Sequence, residues 1–308
     1  MQGKGLRIRL RKLWPPSRHG RFGEPVGYHD GGPRAGPGPE VVPAMRFGLQ
    51  KWYLDCSEPS GLAAIIYVGQ ARVGWLPTFH FWETLLRPDS RDTGRPRRVS
   101  VRPLVRVVEA PDGLSLQALP ETTSGAPRPF GRWAGRRSGL RIVLIDHPAL
   151  RIEWRCPCPT ASVSFRLQDG TTIRGEGYAE CLSLAGSLAA LPFRELRWGR
   201  FVAGARSVVW IDWSRGLTRR WVFVDGRGVD ASVVSAESVE WPKGHLTIES
   251  GTIIRDGSLS EAVAGPFGRW VRHPLIRGRE TKWASLARLE DASGVVDGRV
   301  IHEVVRWH

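Results

Sequence analysis

Glu195-Leu196-Arg197-Trp198-Gly199-Arg200-Phe201, followed after a short interval by Val208-Val209-Trp210-Ile211-Asp212-Trp213, is the stretch on which the fold turns. Its second part is β-branched and aromatic, the composition of a strand. It also falls where the chain begins to repeat itself. The stretch is read as the seam between two copies of one β unit.

The repeat rests on three echoes in one order. Pro129-Phe130-Gly131-Arg132-Trp133 recurs identically as Pro266-Phe267-Gly268-Arg269-Trp270. Tyr53-Leu54-Asp55, a turn, then Ile65–Gly69 is echoed by Trp210-Ile211-Asp212, a turn, then Trp221–Gly226. Gly175–Glu180 is echoed by Gly298–Glu303. The expected units are 46–190 and 195–308, each with about eight strands. Further strands read at 104–109, 114–119, 140–145, 150–155, 161–167 and 171–182, with Asp112-Gly113 and Asp169-Gly170 as turns. Helical periodicity is scarce: Leu182–Leu191 reads as one short helix and Phe81–Leu86 as a helical turn or two. The fold class is all-β, two tandem antiparallel barrels. A barrel of eight strands is just wide enough to hold one small ligand.

Composition sets bounds. Apolar residues make 41% of the 308, enough for a packed core, and fourteen are Trp. Thirty-six Gly and 23 Pro suit many turns. Four Cys make no disulfide framework, and Cys156-Pro157-Cys158 is too tight for a zinc knuckle. A reduced, cytoplasmic setting is the expectation. The net charge of +15 fits an anionic partner or a charge spread over the surface. No basic run is interleaved with aromatics in a nucleic-acid motif, so no nucleic acid is expected. Peripheral contact with an anionic membrane stays open, and nothing here sets an oligomeric state. No metal, nucleotide or cofactor motif is found, so none is expected.

Residues 1–44 differ from the rest. They hold eight Lys/Arg against three Asp/Glu, and sixteen are Gly or Pro. Such a stretch buries too little surface to order itself. The two methionines are Met1 and Met45, and Met45 precedes the first strand-like run. The expectation is a disordered basic tail, or an extension upstream of the true start.

Trp52-Tyr53-Leu54-Asp55, Gly175-x-Gly177-Tyr178-x-Glu180, Trp198-Gly199 and Trp210-x-Asp212 together resemble the landmarks of the carotenoid 1,2-hydratase (hydroxyneurosporene synthase) superfamily. That group has tandem lipocalin-like barrels and includes tocopherol-cyclase-like proteins. The resemblance covers most of 46–308. It implies an apolar, often isoprenoid, ligand at a barrel mouth or between barrels, and an acid in an aromatic cage. The family's run is Gly-x-Gly-Tyr-x-Asp-His-x-Trp-Gly. Here Glu180 stands for the Asp, Cys181 for the His, and Trp198-Gly199 follows after an insertion. Trp210-x-Asp212 stands for a later Tyr-x-Asp pair.

Protonating an alkene carbon, the first step of hydration or cyclisation, needs a carboxylic acid kept neutral until use. An apolar pocket raises a carboxyl pKa and provides one. Aromatic faces then stabilise the cation. Asp212 beside Trp210 and Trp213, and Glu180 beside Tyr178, have these ingredients. Each could instead be a structural group, Asp212 in a pair with Arg197 or Arg200, and Glu180 and Glu303 bridged to the Arg of the repeated pentapeptide. Trp198, Trp210 and Arg197 are candidate ligand contacts. So are His80 and Trp82 of Phe79-His80-Phe81-Trp82-Glu83, as lid or lining. Arg132 and Arg269 read as stacking on Trp to close a barrel end. Two functions stay open: an enzyme using general-acid chemistry on an apolar molecule, and a carrier of the same fold.

Overall fold

The computed structural model describes residues 47–86, 95–120, 128–167, 170–187, 190–259 and 278–307. The tail 1–44 and the second pentapeptide, Pro266–Trp270, lie outside them. Among the described residues the regular elements are strands. The first ten are β1 (Phe47–Ser57), β2 (Ala63–Val73), β3 (Phe79–Leu86), β4 (Arg95–Ser100), β5 (Val105–Ala110), β6 (Gly113–Ala118), β7 (Arg128–Ala134), β8 (Leu140–His147), β9 (Leu150–Arg166) and β10 (Thr172–Gly186). The second ten are β11 (Glu195–Ala203), β12 (Arg206–Ser214), β13 (Arg219–Val224), β14 (Arg227–Val229), β15 (Val233–Val234), β16 (Ser238–Trp241), β17 (Gly244–Ile248), β18 (Thr252–Ser258), β19 (Gly278–Asp291) and β20 (Gly294–Trp307).

Each set makes one antiparallel sheet. The first runs β4-β3-β2-β1-β10-β9-β7-β6-β5, with β8 also on β9. Adding ten to every number gives the order of the second sheet, β18 on β19 included. Register aligns the two as well. Tyr53 on β1 faces Glu180 on β10, and Trp198 on β11 faces Glu303 on β20. The Glu180/Glu303 echo is therefore in step. The Tyr53-x-Asp55/Trp210-x-Asp212 echo is one strand out: β1 corresponds to β11, whereas Trp210 and Asp212 lie on β12.

The expected helices are strands instead: β3 covers Phe81–Leu86, and β10 runs on to Gly186. β3 is buried on two faces, whereas β10 beyond Cys181 buries Leu184 on one face and exposes Ala185 on the other. Phe81 and Leu85 pack on one core, Trp82 and Leu86 on another. A strand buried on both faces reads as a continuous apolar run, which periodicity cannot tell from a helix. The stretches 150–155 and 161–167 also join, as the single strand β9. Pro157 and Pro159 inside it have no N–H to give the ladder. The pairing of β9 with β10 slips twice opposite them, between Gly177 and Cys181.

Three apolar clusters result. One, with Leu54, Ile66, Trp133 and Phe165, fills a face of the first sheet. A second, with Phe201, Trp210, Trp241 and Leu289, fills a face of the second. The third draws on both sheets, with Tyr53, Trp154 and Tyr178 from the first and Trp198, Ile211, Trp213 and Phe223 from the second. This third cluster is the seam. Trp198-Gly199 serves two clusters at once. Trp198 enters the seam, while a Cβ on Gly199 would lie 2.1 Å from the Trp210 ring. Only glycine leaves room for that ring.

Polar groups lock the seam. Arg200 on β11 and Asp55 on β1 are each 0% exposed and form a bidentate pair, 2.8 Å from Nε to Oδ2 and 2.7 Å from Nη2 to Oδ1. Nη2 also donates to Ser57 Oγ at 3.1 Å, and Nη1 to the Arg299 carbonyl at 3.1 Å. The Trp133 indole donates to the Asp55 carbonyl at 2.7 Å, which accounts for the Trp of the pentapeptide. Arg132 does not stack on it. It lies on the surface, paired with Asp112 of the turn before β6. Arg200→Ala leaves Asp55 buried and uncompensated, and should cost about 3–5 kcal/mol in urea unfolding. The paired change Asp55→Leu/Arg200→Met should recover most of that loss. A cost below about 1 kcal/mol for Arg200→Ala would show that this pair does not hold the sheets together.

Candidate functional site

Glu180 sits in the seam among neutral donors. Its Oε2 accepts from the Tyr178 hydroxyl at 2.7 Å, from the Trp198 indole at 3.0 Å and from the Trp154 indole. Strand geometry explains the set. Tyr178 and Glu180 are two apart on β10 and share a face. Trp154 comes from β9, just before the bulged Cys156–Pro159 segment, and bulges re-aim side chains. Trp198 crosses from the second sheet. The carboxyl is buried, and burial raises its pKa against the three donors and Lys51. All three bonds fall on Oε2, so a proton on Oε1 would meet none of these donors.

Rings surround the group. The Tyr53 ring lies 4.7 Å from Trp198, 6.1 Å from Tyr178 and 5.6 Å from Tyr67, all edge to face. The Tyr53 hydroxyl is buried with no hydrogen-bond partner. Asp55 is near enough to help burial raise the Tyr53 pKa, but is not in hydrogen-bonding geometry with it. A buried hydroxyl left unmade costs roughly 1–3 kcal/mol.

The twin position has diverged. Glu303, the register counterpart of Glu180, is bound by an ammonium, Lys282 of β19. Lys282 is 0% exposed, lies 3.1 Å from Glu280, and sits 5.6–5.8 Å from the ring centres of Tyr53, Tyr67 and Trp198. Burial lowers its pKa, with Glu280 opposing. Burial pushes Glu280 up, but Lys282 and Arg255 outweigh that and hold it below the usual carboxylate range. Glu180 thus keeps neutral donors where Glu303 has an ion pair. Neither meets the pentapeptide Arg132.

The other predicted residues fall in two further places. Asp212 shares a strand face with Trp210, whose ring packs in the second sheet's own cluster. Its partner is Arg220, at 2.8 Å, which also donates to the Ser232 carbonyl at 2.7 Å. Burial raises the Asp212 pKa against Arg220. Arg197 pairs with Glu195 at 3.0 Å, and Arg200 is committed to Asp55. Trp82 packs at the first sheet's cluster, edge-on to Phe130 at 6.1 Å. His80, two residues before it, is partly buried, which lowers its pKa. The structure therefore unites Glu180, Tyr178 and Trp198, and separates them from Asp212, Trp210 and Arg197 and from His80 and Trp82.

Trp154 and Lys282 are not singled out in the sequence, and Tyr53 and Tyr67 enter there only as parts of repeated strands, not as site residues. Lys282 carried a signal: Glu280 and Lys282 hold alternating positions that β19 buries. His302 also lies buried. Its Nε2 is 3.2 Å from Ser285 Oγ and its ring stacks on Trp283, while burial and Lys282 push its pKa down to about 4.

No family model and no curated protein matches the sequence. Solved structures do resemble it. An AttH-like protein from Nitrosomonas europaea has a TM-score of 0.49 at 13% identity, over 86% of this chain and 93% of that one. Kievitone hydratase from Nectria haematococca has 0.47 at 9%, over 84% and 89%. CghA has 0.46 at 12%, over 85% and 88%. The chain is all-β among the described residues, built from two ten-stranded antiparallel sheets. No described helix is long and apolar enough to cross a membrane.

Two outcomes follow from the cage. Glu180 binds its proton more tightly folded than unfolded, so its contribution to stability is complete below the ordinary value of 4.5. That contribution is lost as pH rises through the folded pKa. Glu180→Gln cannot ionise. Its stability relative to wild type should rise with pH from about 4.5 upward and then level off; a flat or falling difference in pH-dependent urea unfolding would contradict the raised pKa. Tyr53→Phe removes the unpartnered hydroxyl and should raise stability by about 1 kcal/mol. A loss of that size would reveal a partner for the hydroxyl.

Proposed function

We propose that this protein acts on an apolar small molecule, of isoprenoid type, with Glu180 as general acid in alkene hydration or cyclisation. One observation carries the reading: a buried carboxyl of raised pKa, held by Trp154, Tyr178 and Trp198 rather than by a cation. The three donors fix one oxygen and so orient the other. The proton leaves Oε1 for an alkene carbon, and the π pair forms the new C–H bond. The resulting cation is met by the faces of Tyr53, Tyr178 and Trp198. In hydration, water adds to the cation and its released proton returns to the Glu180 carboxylate; in cyclisation, a second alkene adds, and the new cation gives a C–H proton to Glu180 as the product double bond forms. In this reading Asp212 is a structural partner of Arg220, outside the reaction.

A second reading, a carrier of the same fold, is favoured by Cys181, which stands where the resemblance expects His. Turnover separates the two. Lipid extract incubated with the protein in D2O should yield products with deuterium on carbon. Glu180→Gln should lower that turnover roughly 10²–10⁴-fold while still retaining lipid from the extract, and Asp212→Asn should leave turnover near wild type. Equal deuteration with Glu180→Gln would remove Glu180 from the chemistry. Bound lipid without deuteration by the wild type would establish the carrier.

A further inference from the structure

The tip of the β2–β3 hairpin carries apolar side chains into solvent. Gly74, at φ +55°, turns the chain, and the Leu76 N–H closes the turn on the Val73 carbonyl at 3.0 Å. Trp75 is then 89% exposed, with Leu76 and Pro77 exposed beside it. An indole gains most from burial, so one projected this far into water is exceptional.

Neighbouring strands extend the patch. β4 is the sheet edge, and it runs back toward the tip: Val99 lies beside Phe81 and Ser100 beside His80. Val99 and Val101 are both more than half exposed. Arg72, Arg98 and Arg102 are exposed around them, and among the described residues none has an ion pair. The sequence keeps acids away. Residues 59–82 and 93–108 contain no Asp or Glu.

We infer that this tip and edge dock on an anionic lipid bilayer, with Trp75 and Leu76 entering the interface and the arginines on the headgroups. Charge complementarity chooses the occupant. A second copy would bring the same positive charge. A nucleic acid would satisfy the arginines but leave Leu76, Val99 and Val101 without a partner. Trp at the headgroup level with basic neighbours is the composition of an interfacial anchor. The inference is independent of Glu180 and places the protein at the phase where apolar small molecules collect.

Co-sedimentation with vesicles tests it, using phosphatidylcholine alone and phosphatidylcholine with phosphatidylglycerol. The full chain should bind the anionic vesicles and release with added salt. Trp75→Ala should weaken that binding roughly tenfold. Arg98→Ala and Arg102→Ala should each weaken it roughly fivefold. All three positions are exposed, so the variants should unfold as the wild type does. Val295→Ala, at another exposed apolar position, should bind unchanged. Undiminished binding by Trp75→Ala, equal loss with Val295→Ala, or equal binding to both vesicle types would overturn the inference. So would a site that duplex DNA occupies with the same affinity in wild type and Trp75→Ala.

Discussion

The structure depends on one buried ion pair. Asp55 and Arg200 lie on the first strands of the two sheets and have no exposure to water. Removing two charges from water costs several kcal/mol for each, and only near-complete hydrogen bonding offsets it. Here the offset is near complete. Three of the guanidinium nitrogens are used, and Ser57, Arg299 and Trp133 complete the shell around the pair. The pairing allows one register between the sheets. A shift of one residue would strand both charges, so the pair specifies the seam more than it stabilises it.

That register sets the chemistry. With β1 and β11 fixed against each other, Trp198 of one sheet reaches Glu180 of the other. The same strand position carries Glu303 in the second sheet, and there the outcome is opposite. Lys282 supplies a charge to Glu303, while Trp154 and Tyr178 supply only dipoles to Glu180. Burial among these dipoles raises the Glu180 pKa, desolvation outweighing the three hydrogen bonds.

Much of this was legible in the residues, and the failures have physical causes. The parallel between the two sheets is legible at Gly175–Glu180 and Gly298–Glu303, which lie on β10 and β20, strands in corresponding places of the two sheet orders. The Tyr53/Trp210 echo misled because β1 and β2 are hairpin partners of similar composition, so a strand resembles its neighbour's counterpart as easily as its own. Phe81–Leu86 reads as helical because a strand with apolar residues on both faces loses the period of two, and Leu182–Leu191 does so because it is rich in Leu and Ala, strong helix formers. The site was half visible. Glu180, Tyr178 and Trp198 lie close in sequence, but Trp154 and Lys282 arrive by strand pairing that no local pattern announces. Asp212 looked equivalent to Glu180 because a carboxylate among tryptophans has the same composition whether its partner is an indole or Arg220. Only the cross-strand position of Arg220 separates the two.

Glu180 is an acid buried in the seam whose pKa desolvation raises. Carboxyl ¹³C chemical shifts of Glu-labelled protein, followed through a pH titration in wild type and Glu180→Gln, address it most directly. The account requires one resonance that titrates above the ordinary glutamate range and disappears in the variant. If every glutamate of the wild type titrates at or below that range, Glu180 is an ordinary carboxylate and the acid reading is wrong.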